Sequence, residues 1–428
     1  LDALIDRVGA ALQRDGLRPG DTIAISAATS IEYLAAYLGA VRVGVVVAPM
    51  SPASRPEALA AMLKDSAARI FFLDAPVAEL LGDRLSSRGA PDLPGAIEPG
   101  KVALDGSAAG IAWQEWLAAE GATPAPVELH PDDPFNIIYS SGTTGTPKGI
   151  VQPYQMRWLH SRRGRDQGYS TQATGLISTP LYSNTTLVAI FPALTMGATL
   201  VLMPRFDAGR YLQLVERHRV THAMLVPVQY QRLMAHPDFD RHDVSSLSNR
   251  FCTSAPFPAE LKAEVLRRWP GKLVDSYGMT EGGGVCVLAA HEFPDKLHTV
   301  GRPAAGHDIR LIDEQGNEVA QGQTGEIVGF SPGTMIGYRN QPGLTGQAEW
   351  RSPDGRRFIR TGDLGRFDED GFLTLVGRKK DMIISGGFNV YPGEIEQVIW
   401  SLPAVQDCAV IGVPDDKWGE AVKAVIEL

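Results

Sequence analysis

A run of glycine and hydroxyl residues carries the strongest chemical signal in the sequence. Residues 139–149 read Tyr-Ser-Ser-Gly-Thr-Thr-Gly-Thr-Pro-Lys-Gly and follow the apolar segment Phe135–Ile138, which is typical of a buried strand. Glycines let a backbone pass close to a ligand, while hydroxyls, backbone N–H groups and Lys148 supply donors and positive charge. These properties suit a polyphosphate. Composition alone leaves two interpretations open, a phosphate-binding loop or a flexible surface loop.

The order of residues in this run decides between families of phosphate-binding loop. The pattern Gly-x-x-x-x-Gly-Lys-[Ser/Thr] cannot be laid on it, which argues against a P-loop kinase or ATPase. The run instead resembles the signature loop of the adenylate-forming superfamily, which includes acyl- and aryl-CoA synthetases, adenylation domains and luciferases. The resemblance implies catalytic roles for Thr143 and Lys148. It implies that phosphate is bound by Ser140, Ser141, Gly142, Thr143, Thr144, Gly145 and Lys148.

A second motif, residues 276–281, follows a strand predicted to end at Asp275. Ligands of open parallel sheets bind at the carboxyl ends of strands, and a carboxylate can hold Mg²⁺ through oxygen. Taken alone, the segment is more typical of a turn at the end of a strand with an exposed acid. It resembles the superfamily's Tyr-Gly-x-Thr-Glu motif, which implies that Glu281 is catalytic and binds Mg²⁺. The same resemblance implies nucleotide contacts from Ser276, Tyr277, Gly278, Met279 and Thr280.

Two further segments resemble the parts of the superfamily that hold the nucleoside. Ser254, Ala255 and Pro256 end another predicted strand, where the superfamily usually has Gly-Ala-x beside the adenine. Asp363 closes an Arg-Thr-Gly-Asp sequence, and an aspartate after glycine is most often a turn residue. The resemblance implies that its carboxylate accepts both ribose hydroxyls.

Residues 377–396 combine a basic turn, an apolar strand, a glycine turn and a helix start. By composition this is a domain junction without chemistry. The resemblance implies that Arg378 contacts the ribose and that Lys380 is the hinge about which a C-terminal lid rotates. It also implies that Gly386 and Gly387 pass close to the pantetheine of CoA.

The segment that lines the acyl pocket departs from the superfamily pattern. Ser183, within Pro-Leu-Tyr-Ser-Asn, stands where many acyl- and aryl-CoA synthetases have histidine. We expect the pocket to be lined by Tyr182, Ser183, Tyr230 and Gly283. These residues are small or aromatic and uncharged, which favours an apolar monocarboxylic acid, fatty or aromatic. Superfamily members also carry a lysine in a segment beyond the position of Leu428.

Composition excludes several other functions. The chain has 428 residues, and 40 basic against 49 acidic residues give a net charge of −9, which argues against nucleic acid as a partner. Three widely spaced cysteines indicate neither a disulfide framework nor a zinc site, and fit a reducing cytoplasm. No secretory signal or transmembrane segment is predicted. A homodimer is an open expectation.

The elements that must position these motifs alternate between strands and helices. A strand at Thr22–Ser26, a helix capped by Thr29 and Glu32, and further such pairs predict an α/β fold with doubly wound parallel sheets. Residues 87–128 are expected to form a variable connection. We predict an N-terminal domain over 1–376, with a small β-barrel subdomain at about 299–376. Residues 377–428 would begin an α+β lid.

Together the motifs predict an AMP-forming acid–thiol ligase that uses ATP, Mg²⁺ and CoA. Two alternatives stay open. One is an adenylation domain that loads a carrier protein, and the other is a degenerate nucleotide-binding protein without turnover.

Overall fold

The computed structural model describes residues 1–82, 100–140, 147–269, 271–385, 388–400, 402, 404–405, 407–415 and 418–427. Its helices are α1 (Asp2–Arg14), α2 (Ile31–Arg42), α3 (Pro56–Ser66), α4 (Ala75–Leu81), α5 (Trp113–Trp116), α6 (Tyr154–Arg162), α7 (Asn184–Thr195), α8 (Ala208–His218), α9 (Pro227–Met234), α10 (Ala259–Arg268), α11 (Pro342–Gln347) and α12 (Pro392–Trp400).

The first strands, up to the middle of the chain, are β1 (Thr22–Ser26), β2 (Val46–Pro49), β3 (Ile70–Leu73), β4 (Gly100–Ala103), β5 (Ile111–Ala112), β6 (Pro134–Ser140), β7 (Lys148–Pro153), β8 (Thr174–Ile177), β9 (Thr199–Leu202), β10 (His222–Leu225), β11 (Asn249–Thr253) and β12 (Lys272–Met279). The remaining strands are β13 (Gly282–Ala289), β14 (Arg302–Pro303), β15 (Asp308–Ile312), β16 (Gly325–Phe330), β17 (Gly337–Tyr338), β18 (Glu349–Arg351), β19 (Arg357–Phe367), β20 (Leu373–Arg378), β21 (Ile383–Ser385), β22 (Phe388–Val390), β23 (Asp407–Asp415) and β24 (Gly419–Glu427).

Chain contacts divide the molecule into two compact units. Unit 1 comprises residues 1–224 and 333–347, and unit 2 comprises residues 225–332 and 348–428. The division between the two units therefore does not coincide with the domain boundary near residue 376 that the sequence predicts. That domain boundary stays a prediction.

Unit 1 is built on a sheet with the strand order β17-β7-β6-β2-β1-β3-β4-β5. Strands β2, β1, β3, β4 and β5 pair in parallel, whereas β6 and β7 form an antiparallel hairpin. Every residue of β1, β2 and β3 is buried. Such continuous apolar runs are expected of parallel strands that are covered on both faces. Strand β8 pairs in parallel with β9 and with residues 222 and 223 of β10, which gives this unit a second parallel set.

Unit 2 is richer in antiparallel strands. Strand β12 pairs in parallel with β11 and in a hairpin with β13. A five-stranded antiparallel sheet contains β15, β16, β19, β18 and β20, and its core includes Ile309, Ile327 and Leu373. A four-stranded sheet, β22-β21-β24-β23, closes the chain. The α/β fold with parallel sheets predicted from sequence is confirmed.

Several local predictions are wrong in detail. Helix α2 is capped by Ser30, whose hydroxyl accepts a hydrogen bond from the Tyr33 N–H, so Thr29 and Glu32 do not form the cap. The connection over 87–128 contains β4, β5 and α5. Strand β12 continues past Asp275, because its pairing with β13 carries it to Met279. Within the described residues, no helix is long and apolar enough to cross a membrane.

Candidate functional site

The predicted phosphate loop connects the two strands of a hairpin in unit 1. Strands β6 and β7 pair up to Ser140 and Lys148, which face each other across the ladder. The connecting residues Ser141, Gly142, Thr143, Thr144 and Gly145 lie outside the described residues. The hairpin thus places the predicted lysine at the first paired position after the loop.

Lys148 contacts a residue that the sequence did not single out. Its ammonium nitrogen lies 5.8 Å from the ring centroid of Tyr338, which sits on β17 beside β7. A cation over an aromatic face at this distance is stabilised by about 0.5–1 kcal/mol at an exposed site. Tyr338 therefore helps to position the Lys148 side chain. No local pattern announces this pairing, because the two strands are far apart in the sequence.

The end of β6 that leads into the predicted phosphate loop is held by a partly buried hydrogen-bond network around Asp65. The Tyr139 hydroxyl donates to Asp65 Oδ2 at 2.8 Å, and Asn340 Nδ2 donates to Asp65 Oδ1 at 3.0 Å. Arg339 Nε donates to the Asp65 carbonyl at 2.8 Å. Burial and the neighbouring carboxylate raise the pKa of Tyr139, so the phenol stays a donor at neutral pH. Helix α3 and the segment after β17 thus hold the start of the phosphate loop.

Three residues taken from separate sequence motifs meet in unit 2. The Tyr277 hydroxyl donates to Asp363 Oδ2 at 2.7 Å, and Arg378 Nε lies 3.3 Å from Asp363 Oδ1. Asp363 and Arg378 are register partners on β19 and β20. Burial raises the pKa of Asp363, an effect that the Tyr277 hydrogen bond and the Arg378 charge only partly offset. We call these three side chains the nucleoside cluster, after the role that the sequence predicts for them.

The backbone at Asp363 is shaped by its neighbours in the Thr-Gly-Asp sequence. Gly362 has φ +73°, a left-handed conformation that favours glycine. Thr361 Oγ1 accepts a hydrogen bond from the Asp363 N–H at 3.0 Å and donates to the Ile327 carbonyl at 2.9 Å. The motif is therefore a kink in β19 that the threonine fastens to β16.

Residues 276–279 lie on β12, and Thr280 with Glu281 forms the turn into β13. Glu281 is half-buried in this two-residue turn. No group of three or more His, Cys, Asp or Glu side chains among the described residues could hold a metal by itself. A single carboxylate fits Mg²⁺ that is otherwise held by water and substrate phosphates.

Ser254 has a strained backbone at the end of β11. Its φ is +83°, whereas Thr253 before it is extended and donates its hydroxyl to the Ser276 carbonyl at 2.7 Å. Left-handed conformations of non-glycine residues cost about 1–3 kcal/mol. This explains why glycine suits the position in the superfamily pattern.

We expect Ser254→Gly to raise the free energy of unfolding by about 1 kcal/mol, since relief of strain exceeds the added entropy of glycine. Urea denaturation measures the change. Ser248→Gly is the matched control, because Ser248 is exposed and has no positive φ, so that substitution should destabilise slightly. Equal effects of the two substitutions would contradict the strain argument.

The predicted acyl-pocket residues divide between the units. Tyr182 and Ser183 are half-buried and form the turn before α7 in unit 1. In unit 2, Tyr230 is fully buried, donates its hydroxyl to the Phe251 carbonyl at 3.1 Å and stacks on Phe257. A Cβ on Gly283 would lie 2.7 Å from Ile359 Cβ. Packing within unit 2 therefore accounts for the residue types at positions 230 and 283. This favours a role in the core over a role in the pocket for both residues.

The predicted hinge lies in a short 3₁₀ turn, Lys379–Asp381, after β20. Lys380 is half exposed, whereas its neighbour Lys379 donates to the buried Glu326 carboxylate at 3.0 Å. Arg360 Nε also donates to Glu326 at 3.0 Å. Burial raises the pKa of Glu326, but these two cations outweigh it and hold the pKa below its ordinary value. Gly386 and Gly387, the predicted CoA contacts, lie outside the described residues.

Two models of known protein families match the chain. The profile described as "AMP-binding enzyme" matches residues 1–339, and the profile described as "AMP-binding enzyme C-terminal domain" matches residues 394–428.

Individual proteins resemble the chain over its full length. Feruloyl-CoA synthase from Amycolatopsis sp. is 34% identical over 430 residues, which cover 100% of this chain and 82% of the relative. Long-chain-fatty-acid–CoA ligase FadD13 from Mycobacterium tuberculosis is 31% identical over 432 residues, with the same coverage. The structure of the amide bond synthetase McbA from Marinactinospora thermotolerans superimposes with a TM-score of 0.86 at 27% identity. That match covers 99% of this chain and 82% of the other.

Proposed function

The chain belongs to the AMP-binding enzyme family and is an AMP-forming CoA ligase with ATP and CoA as substrates, and we propose that its acid is an apolar monocarboxylate, aromatic or fatty. The observation that carries the nucleotide part is the cluster of Tyr277, Asp363 and Arg378. A carboxylate oriented by a phenol and an adjacent guanidinium suits a pair of ribose hydroxyls, which need two acceptors close together.

The reaction needs no enzyme nucleophile. The substrate carboxylate attacks the α-phosphorus of ATP, the bond to pyrophosphate breaks, and an acyl-adenylate forms. Lys148 would place its positive charge beside the phosphates, aided by the hydroxyls of the loop that includes Thr143. Glu281 would hold Mg²⁺ at this site, and the bound ion would supply positive charge near the leaving pyrophosphate. Catalysis is then a matter of positioning and electrostatic stabilisation.

The second half-reaction transfers the acyl group to sulfur. The CoA thiol loses its proton to solvent as its sulfur attacks the acyl carbonyl carbon, and AMP leaves with the electrons of the broken anhydride bond. We propose that Lys380 is the hinge of the lid that begins after β20, and that Gly386 and Gly387 approach the pantetheine. A hinge at the end of a strand is physically reasonable, because few residues there must change their dihedral angles.

The acid is proposed from the Tyr182–Ser183 turn and from the relatives. The turn offers an aromatic ring and a small neutral side chain, and neither carries a positive charge that would neutralise a second carboxylate. Feruloyl-CoA synthase and FadD13 are named for aromatic and fatty monocarboxylates respectively. A cytoplasmic location and a homodimeric state stay predictions.

ATP–pyrophosphate exchange and CoA-thioester formation test this proposal on one panel of acids. The panel contains ferulate, benzoate, hexanoate and palmitate, with malonate as the dicarboxylate. We expect both exchange and thioester formation with at least one monocarboxylate. We expect neither activity with malonate. Exchange accompanied by acyl transfer to a carrier protein but not to CoA would favour a carrier-loading domain. ATP binding without exchange on any acid would favour a degenerate binder.

We expect Glu281→Gln to lower pyrophosphate exchange at least about a hundredfold, because loss of a charge-bearing ligand in a phosphoryl-transfer site costs roughly 2.7 kcal/mol or more. Excess Mg²⁺ should restore part of the activity. Glu314→Gln, in the exposed turn after β15, is the matched control and should leave exchange unchanged. Full activity of Glu281→Gln at limiting Mg²⁺ would remove Glu281 from the metal site.

A further inference from the structure

We propose that Arg157, buried beneath the start of α7, is a positioning residue that fixes the Tyr182–Ser183 turn for binding of the acid. The inference rests on the proposed function, because it assigns this turn to the acyl pocket. Arg157 belongs to α6, is 2% exposed, and lies entirely within unit 1 with its partners.

The guanidinium of Arg157 is held by side-chain amides. Arg157 Nη2 donates to Asn184 Oδ1 at 2.8 Å and also to Gln152 Oε1, and Arg157 Nε donates to Asn136 Oδ1 at 3.2 Å. Two of these amides also bond directly, Asn136 Nδ2 donating to Gln152 Oε1 at 2.9 Å. Gln152 Nε2 in turn donates to Asn184 Oδ1 at 3.3 Å. The side chains of β6, β7 and α7 thus share one polar network.

In the part of the chain that the structure describes, no carboxylate bonds to the Arg157 side chain. The oxygens that accept its hydrogen bonds there belong to amides, and His160 Nδ1 lies 3.4 Å from Arg157 Nη1. Burial lowers the pKa of Arg157 to about 10, so the group remains charged at neutral pH. An apolar side chain would fill the same space without desolvating a charge. What the polar network adds is a fixed geometry, since each member restricts the orientation of the others.

That geometry is transmitted to the turn before α7. Asn184 is the first residue of α7, and Ser183, its N-cap, makes no side-chain capping bond. The turn is closed by the Ser183 N–H, which donates to the Pro180 carbonyl at 3.0 Å. The side chain of Asn184 is therefore one of the contacts that attach this end of the helix to the core, beside the Thr186 hydroxyl, which donates to the Pro180 carbonyl at 2.6 Å. Arg157 Nη2 lies closer to Asn184 Oδ1 than Gln152 Nε2 does, at 2.8 Å against 3.3 Å.

The same helix meets Arg157 a second time. The guanidinium carbon lies 5.9 Å from the ring centroid of Phe191, two turns further along α7. The Arg157 side chain thus contacts α7 both at its first residue and two turns further along, and so positions both parts of the helix. Without it, the Tyr182–Ser183 turn would sample other positions before the acid binds, and binding would have to select one of them.

The experiment compares Arg157→Met, Arg157→Lys and the control Arg162→Met, an exposed arginine on the same helix. We expect Arg157→Met to raise KM for the acid about tenfold or more while KM for ATP changes less than about twofold, because only the acid contacts the turn. Arg157→Lys should be intermediate, since an ammonium cannot reproduce the planar fork of donors. A purely structural role would instead lower kcat with the folded fraction and leave both KM values unchanged, and that result would overturn the proposal.

Two variants of Asn184 test the same proposal in case Arg157→Met does not fold. Asn184→Asp keeps an acceptor for the guanidinium and should bind the acid nearly as the parent does. Asn184→Leu removes the acceptor and should reproduce the Arg157→Met effect on KM. Equal KM values for the acid in the two Asn184 variants would contradict the proposal that Arg157 positions α7 through Asn184.

Hydrogen exchange separates this inference from the proposed function. In Arg157→Met without any substrate, the amides of Ser183, Thr186 and Leu187 should exchange about tenfold faster, because their bonds define the turn, while those of α8 should not change. Unchanged exchange at the turn would overturn the inference whether or not the enzyme turns over. Faster exchange in a protein that activates no acid would instead overturn the proposed function alone.

Discussion

We expect Asp363→Ala to lower kcat/KM for ATP about a hundredfold, equivalent to roughly 2.7 kcal/mol. Two hydrogen bonds from ribose hydroxyls to a carboxylate would be lost. The effect should be larger than that of Tyr277→Phe, which leaves the carboxylate in place and removes only the phenol that orients it. Asp370→Ala, an exposed aspartate in the turn after the same strand, is the control.

Deoxynucleotides make this prediction specific to the ribose. The parent should use ATP better than 2′-deoxy-ATP, whereas Asp363→Ala should use the two almost equally, because the acceptor for the 2′-hydroxyl is gone. Steady-state kinetics of pyrophosphate exchange measure both ratios. A variant that is weaker overall but keeps the parent's preference for ATP would show that Asp363 acts elsewhere.

The nucleoside cluster illustrates what sequence could predict. Tyr277, Asp363 and Arg378 were assigned from three separate motifs, and the structure of unit 2 brings them into contact. Each motif is short and its residue types are dictated by chemistry, so each can be recognised without knowledge of the fold. The α/β alternation was predictable for the same reason, since buried parallel strands leave continuous apolar runs.

Residues that position the site were not predictable, because they act across long sequence separations. Tyr338 reaches Lys148 only through the pairing of β17 with β7, and Arg157 reaches Asn184 only through packing of α6 on α7. Neither residue carries a local signal. The sequence predicts too early an end for β12 for a related reason. Residues 276–279 form strand because they pair with β13, which no local pattern indicates.

Lys262 is another residue whose role could not be predicted from the sequence. Of the substitutions considered, its replacement is expected to change stability the most. Its ammonium group is 2.8 Å from Asp275 Oδ2 and donates to the carbonyls of Leu297 and Thr299 at 3.0 and 3.1 Å. Both side chains of the ion pair are almost fully buried, and Asp275 directly precedes the nucleotide motif. This ion pair fastens α10 to β12 and to the chain that leads into β14.

We expect Lys262→Met to lower the free energy of unfolding by roughly 3–5 kcal/mol, because it leaves a buried carboxylate without its counter-charge. Urea denaturation measures the loss. Lys272→Met, at the exposed start of the same strand β12, is the control and should change stability by less than about 0.5 kcal/mol. The double variant Lys262→Met with Asp275→Leu should recover much of the loss, since an apolar pair of similar volume carries no desolvation cost.

The pH dependence of this loss identifies its cause. In the parent, burial already raises the pKa of Asp275 above its ordinary value of 3.8, although Lys262 opposes the rise. Without Lys262 the pKa should rise further, so the folded variant takes up a proton more readily than the unfolded chain does. A group with a raised folded-state pKa favours folding below its unfolded-state pKa and loses that contribution as pH rises through the folded value. The deficit of Lys262→Met should therefore be smallest near pH 4 and grow toward neutral pH. A deficit that is independent of pH would instead indicate that Lys262 stabilises the fold through packing and its carbonyl bonds, with the charge of Asp275 playing no part.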